Sequence, residues 1–358
     1  MALRVCVMNK TWTELIRAPG RGNAKEIEER KGSVPLFKQA IPEPVVEKAQ
    51  PALQAWLRLR PGSSEPSGIT VLKSTARSTV CRIEGVGPGG SGIVAKWCPR
   101  TDGELETFIY TEVLQRLSID SIRCYGFIDE GGGDYGWLFL EDGGIKQIAD
   151  KGASFPIAFA HWLALLHGSA SSLPIRDRLP ERGPAWYWKI LRAARLRLCQ
   201  NISERNWGDS DRSAVEKILI CFEILEQNWH LVEQRCESLP LTLVHCDLQR
   251  KNVLVRHTAS GTAFLPLDWE EAGWGAPATD LADIDAAAYW STARRIWPGI
   301  DLQQVEAQIG CGALFQILSA VGWETVRLAA GSEDKAKRRL RIYAPRLTAS
   351  TQALGLEA

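Results

Sequence analysis

The chain has almost no net charge: 43 Lys and Arg stand against 42 Asp and Glu, a formal +1 at pH 7. That balance argues against a dominant electrostatic partner, so neither duplex nucleic acid nor an anionic membrane is expected. Cysteine pairing is also missing. The nine cysteines are scattered, odd in number, and none forms Cys-x-x-Cys. This excludes the usual zinc spacing and a disulfide framework, and it leaves reduced, mostly buried thiols of a cytoplasmic protein. Long apolar runs are absent as well; none approaches the roughly 18–20 residues that cross a bilayer. Residues 1–10 lack the apolar core of a signal peptide. No internal repeat or low-complexity tract is present, and nothing marks an oligomer, so a monomer is the default. With 45% apolar content over 358 residues, the chain has material for a large core divided into two lobes.

What is present is a phosphoryl-transfer pattern. His245-Cys-Asp247-Leu-Gln-Arg-Lys-Asn252 is followed, after a short apolar run, by Leu267-Asp268-Trp269. Such a site needs one carboxylate to orient and deprotonate an acceptor hydroxyl, and an amide plus a carboxylate to hold magnesium on ATP. Asp247 is the candidate base. Asn252 and Asp268 are the candidate magnesium ligands, with the hard oxygens that ion prefers. His245 reads as an orienting residue that bonds nearby backbone. The apolar runs 241–244, 253–255 and 263–267 read as short buried strands fixing these groups. A lone Asp-x4-Asn would mean only loop caps; His two residues ahead, strands on both sides and Asp268 together favour chemistry. Cys246, inside the motif, reads as packing.

The rest of the chain divides around this motif. Residues 1–66 form an N-terminal extension, with an amphipathic helix over 44–60 and a Pro/Gly/Ser linker over 61–68. Residues 67–141 carry five short strands, at 69–72, 79–83, 92–97, 125–128 and 137–140, with a helix at 102–117 between the third and fourth. The glycines of 85–90 and 131–133 read as turns. Residues 142–358 are mainly helical: 154–167, capped by Ser154, then 178–199, 213–236, 280–297, 302–318 and 333–343. The prediction is an α+β bilobal fold, with a small antiparallel-sheet N-lobe, a larger helical C-lobe and a cleft between them.

Several residues outside the motif fit a nucleotide site. Lys96 lies in an apolar strand, where a lysine is costly unless paired with a phosphate or a carboxylate. Of the two glutamates on the next helix, Glu106 falls on the apolar face and Glu112 off it, so Glu106 is the expected partner. The glycine-free segment 73–79, with Ser78, offers hydroxyls and amides to phosphates. Segment 140–144 ends the last small-lobe strand, where backbone at Glu141 and Gly143 could meet an adenine edge, with the Glu141 and Asp142 side chains solvated. Asp280 is placed to brace the catalytic loop, to cap the following helix, or to do both. His161 and His167 read as core or cap residues, and 335–341 as a solvated basic face. Eight tryptophans between 186 and 297 are mostly core, with one or two available to an acceptor.

His245-x-Asp247-x4-Asn252, then Leu-Asp268-Trp-Glu-Glu-Ala-Gly and Asp280-Leu-Ala, resembles the aminoglycoside phosphotransferase and choline kinase family of small-molecule kinases, over residues 68–290 and most strongly over 241–285. The resemblance implies a protein-kinase-like fold, MgATP as donor and γ-phosphate transfer to a hydroxyl. It places the base on Asp247, the metal ligands on Asn252 and Asp268, the ATP lysine on Lys96 and the adenine-contacting backbone at Glu141 and Gly143. Protein kinases share the spacing but carry Lys where this chain has Gln249, and Asp-Phe-Gly where it has Asp-Trp-Glu, which disfavours a protein acceptor. The intact Lys96, Asp247, Asn252 and Asp268 set disfavours a non-catalytic nucleotide-binding scaffold. Residues 176–237 mix Arg and acids nearly evenly, which disfavours a polycationic antibiotic. Glu270 and Glu271 are candidates for acceptor contact.

Overall fold

The computed structural model describes residues 43–75, 78–117, 119–144, 155–204, 207–258, 261–331 and 333–356. Most of the N-terminal extension and the Ser154 cap lie outside these. Helix α1 (Glu43–Leu59) precedes strands β1 (Gly68–Ser74), β2 (Thr79–Glu84) and β3 (Ile93–Pro99), then helix α2 (Arg100–Phe108) and strands β4 (Cys124–Asp129) and β5 (Tyr135–Glu141). The five strands form one antiparallel sheet in the order β1-β2-β3-β5-β4.

Alternation along β2 and β3 sorts their side chains to two faces. Cys81, Ile83, Ile93 and Ala95 are buried against Ala52, Ala55 and Trp56 of α1. The residues between them, Val80, Arg82, Val94 and Lys96, face the interlobe cleft. α1 thus closes one side of the sheet while the other is left for a ligand.

The helix expected over 102–117 is interrupted. Its α-helical part stops at Phe108, a wider π turn runs Ile109–Val113, and a tight turn Leu114–Arg116 ends it. Thr107 and Thr111 hydroxyls donate to the carbonyls of Gly103 and Thr107, four residues back, both at 2.7 Å. Such back-bonding competes with the backbone ladder and bends helices.

The large lobe follows: α3 (Phe155–Ala170), α4 (Pro184–Glu204), α5 (Asp209–Cys236), β6 (Thr242–Val244), β7 (Val253–Thr258), β8 (Gly261–Pro266), β9 (Gly273–Gly275), α6 (Ala278–Leu281), α7 (Ala286–Ile296), α8 (Leu302–Ala329) and α9 (Glu333–Ala353). β6 pairs with β9 and β7 with β8, both antiparallel. A single helix was expected over 280–297. Instead α6 stops at Leu281, Asp283 adopts φ 63°, and α7 restarts with Asp285 as N-cap, its carboxylate accepting from Ala288 N at 2.8 Å. Asp280 therefore caps nothing; it lies inside α6.

One described helix, α8, is long and apolar enough to cross a membrane by length and composition. It packs between α4, α6 and α9 and buries Gln308, Glu324 and Arg327 in the protein, the behaviour of a core helix. Its neighbour α9 corrects the solvated face expected over 335–341. Arg339 reaches Glu324 at 3.0 Å, and Lys337 lies 4.9 Å above the Trp207 ring.

Candidate active site

The cleft between the lobes encloses about 540 Å³. Val80 and Val94 of the small sheet line it from one side, Leu254 and Leu267 of the large lobe from the other, with Ile122 and Leu140 between. An apolar slot of this size suits a flat heterocycle. Gly143 lies at its edge, where a Cβ would meet Leu254 Cδ1 at 2.4 Å, so any larger residue would require that leucine to shift. Glu141 and Asp142 are half-buried and paired, where freely solvated side chains were expected. Glu141 accepts from Arg123 N at 3.0 Å and from Arg256 Nη2 at 2.6 Å, and Asp142 pairs with Arg82 Nε at 2.8 Å. These arginines are remote in sequence, so no local pattern announces the pairs. The Glu141 amide is occupied by Arg123 O at 2.7 Å.

The segment over the cleft is closed by side chains instead of glycine. Ser78 N donates to Thr75 Oγ1 at 3.0 Å, Thr75 N donates to Ser78 O at 2.8 Å, and Thr75, Ser78 and Lys73 all line the cleft.

At the polar end, Lys96 carries the densest charge. Its Nζ donates to Glu106 Oε1 at 2.7 Å, to Glu270 Oε2 at 3.0 Å, and to Asp268 Oδ1. Glu112 lies elsewhere, bonded to Arg178 at 3.1 Å. Burial alone would lower the Lys96 pKa, but three carboxylates raise it well above the ordinary lysine value, so it stays charged. Glu106 is fully buried, and that burial pushes it up to about 7 in spite of Lys96. Asp268 opposes the burial penalty through Lys96 and is held down at about 2. Its backbone is left-handed, φ 66° and ψ 59°, a strained conformation for a non-glycine residue. Glu270, proposed from sequence as an acceptor contact, is engaged here with Lys96.

The catalytic-loop candidates converge beside this cluster. Asn252 Nδ2 donates to the Asp247 carboxylate and to the Asp247 carbonyl, both at 2.9 Å. Both partners only accept, so the amide nitrogen must face Asp247 and the amide oxygen is left to the cleft. Gln249 Nε2 donates to the other Asp247 oxygen at 2.5 Å, and Lys251 Nζ lies 3.6 Å from the oxygen that Asn252 bonds. Burial raises the Asp247 pKa. His245 is fully buried, and its Nε2 bonds Leu267 O at 2.9 Å, tying the loop to the residue before Asp268. Behind the loop, the Asp280 carboxylate accepts from His245 N at 2.6 Å and Cys246 N at 2.8 Å. Cys246 has φ 66°, and these two bonds hold that turn. His167 supports Asp280 at 3.4 Å and bonds Tyr289 at 3.0 Å, while His161 bonds Thr292; neither histidine belongs to a potential metal cluster among the described residues.

Sequence reasoning overlooked Gln249 and Lys251 as partners of Asp247, although both stand in the motif. Glu271, the other candidate for acceptor contact, lies 3.7 Å from Arg182 and is pushed by burial up to about 7.

The residues fit magnesium and a nucleotide. Glu106, Asp268 and Glu270 bring oxygens within 4.8 Å of one another. The second Glu106 oxygen is buried without a hydrogen-bond partner, and the free Asn252 oxygen is a hard donor. One ammonium against three carboxylates leaves surplus negative charge facing a cavity that can admit a cation.

The structure of wild-type aminoglycoside 2'-phosphotransferase-IIIa with GDP aligns at a TM-score of 0.59 and 14% identity, covering 84% of this chain and 98% of that one. A spectinomycin phosphotransferase in complex with ADP and spectinomycin aligns at 0.56 and 11% identity, covering 85% and 98%. A choline/ethanolamine kinase family protein from Mesorhizobium loti gives 0.51 and 16%, covering 87% and 94%. These likenesses show a shared protein-kinase-like fold. No curated protein sequence matches the chain. Residues 69–317, well over half the chain, match the family described as "Phosphotransferase enzyme family", and the chain belongs to that family.

Proposed function

We propose that this protein is a cytoplasmic small-molecule kinase that moves the γ-phosphate of MgATP to an acceptor hydroxyl. The observation that carries the reading is the cleft itself. Lys96, Asp268 and Asn252 line one cavity, and Asn252 bonds Asp247, which lines a second one beside it. Bound MgATP supplies the phosphoryl group and the charge that stabilises its transfer. The apolar slot beside Gly143 receives the base. Lys96 gives its ammonium to phosphate oxygens, held in place by Glu106. Asn252 and Asp268 are the residues that would hold magnesium, with Ser78 near the phosphates.

Asp247 orients the acceptor hydroxyl and takes its proton. Asn252 and Gln249 fix the carboxylate from both sides, and its raised pKa makes it a better base than an exposed aspartate. His245 and Asp280 keep the loop in register with Asp268. A cavity of about 320 Å³ opens beside Asp247, lined by Gln249, Tyr187, Gln316 and Tyr343, room for a small hydroxylated molecule. The solved relatives bind compounds such as spectinomycin and kanamycin, which supports a small acceptor here.

ADP release should be measured for wild type and Asp247→Ala against choline, sugars, homoserine, and aminoglycoside and macrolide antibiotics. The reading expects turnover with at least one acceptor and a loss on the order of 10²–10⁴-fold in the variant, with MgADP binding retained. Tight ATP binding with equal, negligible turnover in both would indicate a non-catalytic scaffold. Phosphorylation of a generic protein mixture would indicate a protein kinase.

A further inference from the structure

A larger groove, about 910 Å³, runs between α2, α4 and the C-terminal half of α8. Its position ties it to the transfer site. Glu270 and Glu271 line both this groove and the nucleotide cleft, and Ser319 lines both the groove and the smaller cavity at Asp247. A molecule seated in the groove and reaching past Ser319 would bring a hydroxyl to Asp247.

The groove wall is apolar and aromatic, with Phe108, Trp186, Ile190, Trp323 and Val326. Positions 186, 189, 190 and 197 recur at helical spacing, so Trp186, Ile190, Lys189 and Arg197 share one face of α4. Four cations line the groove: Arg178, Arg182, Lys189 and Arg197. Two are engaged. Arg178 pairs with Glu112 and covers the Phe108 ring at 3.8 Å. Arg182 donates to Glu271 O at 2.8 Å and lies 4.6 Å from the Trp186 ring. The side chains of Lys189 and Arg197 have no ion-pair partner among the described residues. On the acidic side Glu270 is held by Lys96 and Glu271 by Arg182, which leaves Glu104, exposed at the rim. The balance of unopposed charge is positive, beside flat aromatic surface.

Building on the kinase reading, we propose that the acceptor is a bulky, aromatic or otherwise apolar hydroxy compound carrying an anionic group. Its flat part lies against Trp186 and Trp323, and its anion meets Lys189 and Arg197. Arg can pair a carboxylate or phosphate through two parallel bonds, and Lys adds a mobile point charge. A polycation would set its ammoniums against both.

Calorimetric titration into the MgADP-loaded full chain tests this with three probes on one scaffold: a hydroxymethyl-naphthoic acid, its carboxamide and the matching aminomethyl compound. The acid should bind roughly tenfold more tightly than the amine, with the amide between, as expected for two partly exposed charge pairs. In Lys189→Glu combined with Arg197→Gln the preference should vanish or invert, while unchanged MgADP affinity reports an intact fold. Lys189→Glu alone, at an exposed position, should narrow the gap without touching the core. The proposal is overturned if the amine binds as well as the acid, if no probe binds, or if the preference survives in the double variant. Failure of the kinase reading would look different: the acid bound with the expected preference, yet never phosphorylated by MgATP.

Discussion

Two buried ionic clusters in this protein have opposite balances. At the cleft, one ammonium, Lys96, meets three carboxylates from Glu106, Asp268 and Glu270. Inside the large lobe one carboxylate, Glu324, meets two guanidiniums, Arg327 at 2.6 Å and Arg339 at 3.0 Å. Burying charge is costly, and only close pairing offsets it. The Glu324 cluster is sealed where α8 meets α9, so its charges serve packing and register. The Lys96 cluster opens on a cavity and keeps an excess of anions there. Surplus anionic charge lining a cavity gives that cavity a site where a cation is favoured, whereas surplus charge in a closed core gives none.

That contrast predicts separable failures. Lys96→Met should cost the most. ATP-dependent turnover falls on the order of 10²–10³-fold, because the charge placed for the phosphates is gone, and steady-state ADP release would reveal it. Near-normal turnover would make the cluster merely structural. Glu324→Gln should act in the other currency. Stability drops by about 3–5 kcal/mol as two arginines lose their buried partner, measurable by denaturant unfolding, while kcat per folded molecule is unchanged.

The pH dependence sharpens the comparison further. Glu106 and Glu271 are both pushed by burial from 4.5 up to about 7. The folded protein then holds more protons than the unfolded chain between these values, so its stability declines as pH rises from about 4.5 to about 7. Each group contributes at most about 1.4 kcal/mol per pH unit in that window. Asp268, held down at about 2, acts oppositely, and its contribution is lost only as pH falls below about 4. Melting temperature of the nucleotide-free protein across pH 5–7 should therefore fall, and Glu271→Gln should flatten part of the slope. A rising profile would contradict the charge assignment.

Much of this was legible in the sequence because it is local. Period-two alternation foretold the small-lobe strands. Lys96 among apolar neighbours demanded a partner, and helical geometry singled out Glu106. The Asp247-to-Asn252 spacing was readable because five residues is one tight loop. What escaped the sequence is non-local or conformational. Arg82 and Arg256 hold Asp142 and Glu141 from 60 and 115 residues away. The break between α6 and α7 depends on positive φ at Asp283, and the site turns depend on positive φ at Cys246 and Asp268; no glycine marks any of the three. Asp280 left two readings open, and its bonds to the amides of His245 and Cys246 decide between them. Glu270 on Lys96 could not be foreseen, since it requires the two lobes to be brought together.

The most direct measurement is ADP affinity with and without magnesium, in wild type and in Asp268→Asn. The account predicts that magnesium tightens ADP binding to the wild type by roughly tenfold or more, and that the variant binds ADP equally with or without it. An undiminished magnesium effect in Asp268→Asn would place the cation elsewhere and contradict the assembly of this cleft around Lys96, Asn252 and Asp268.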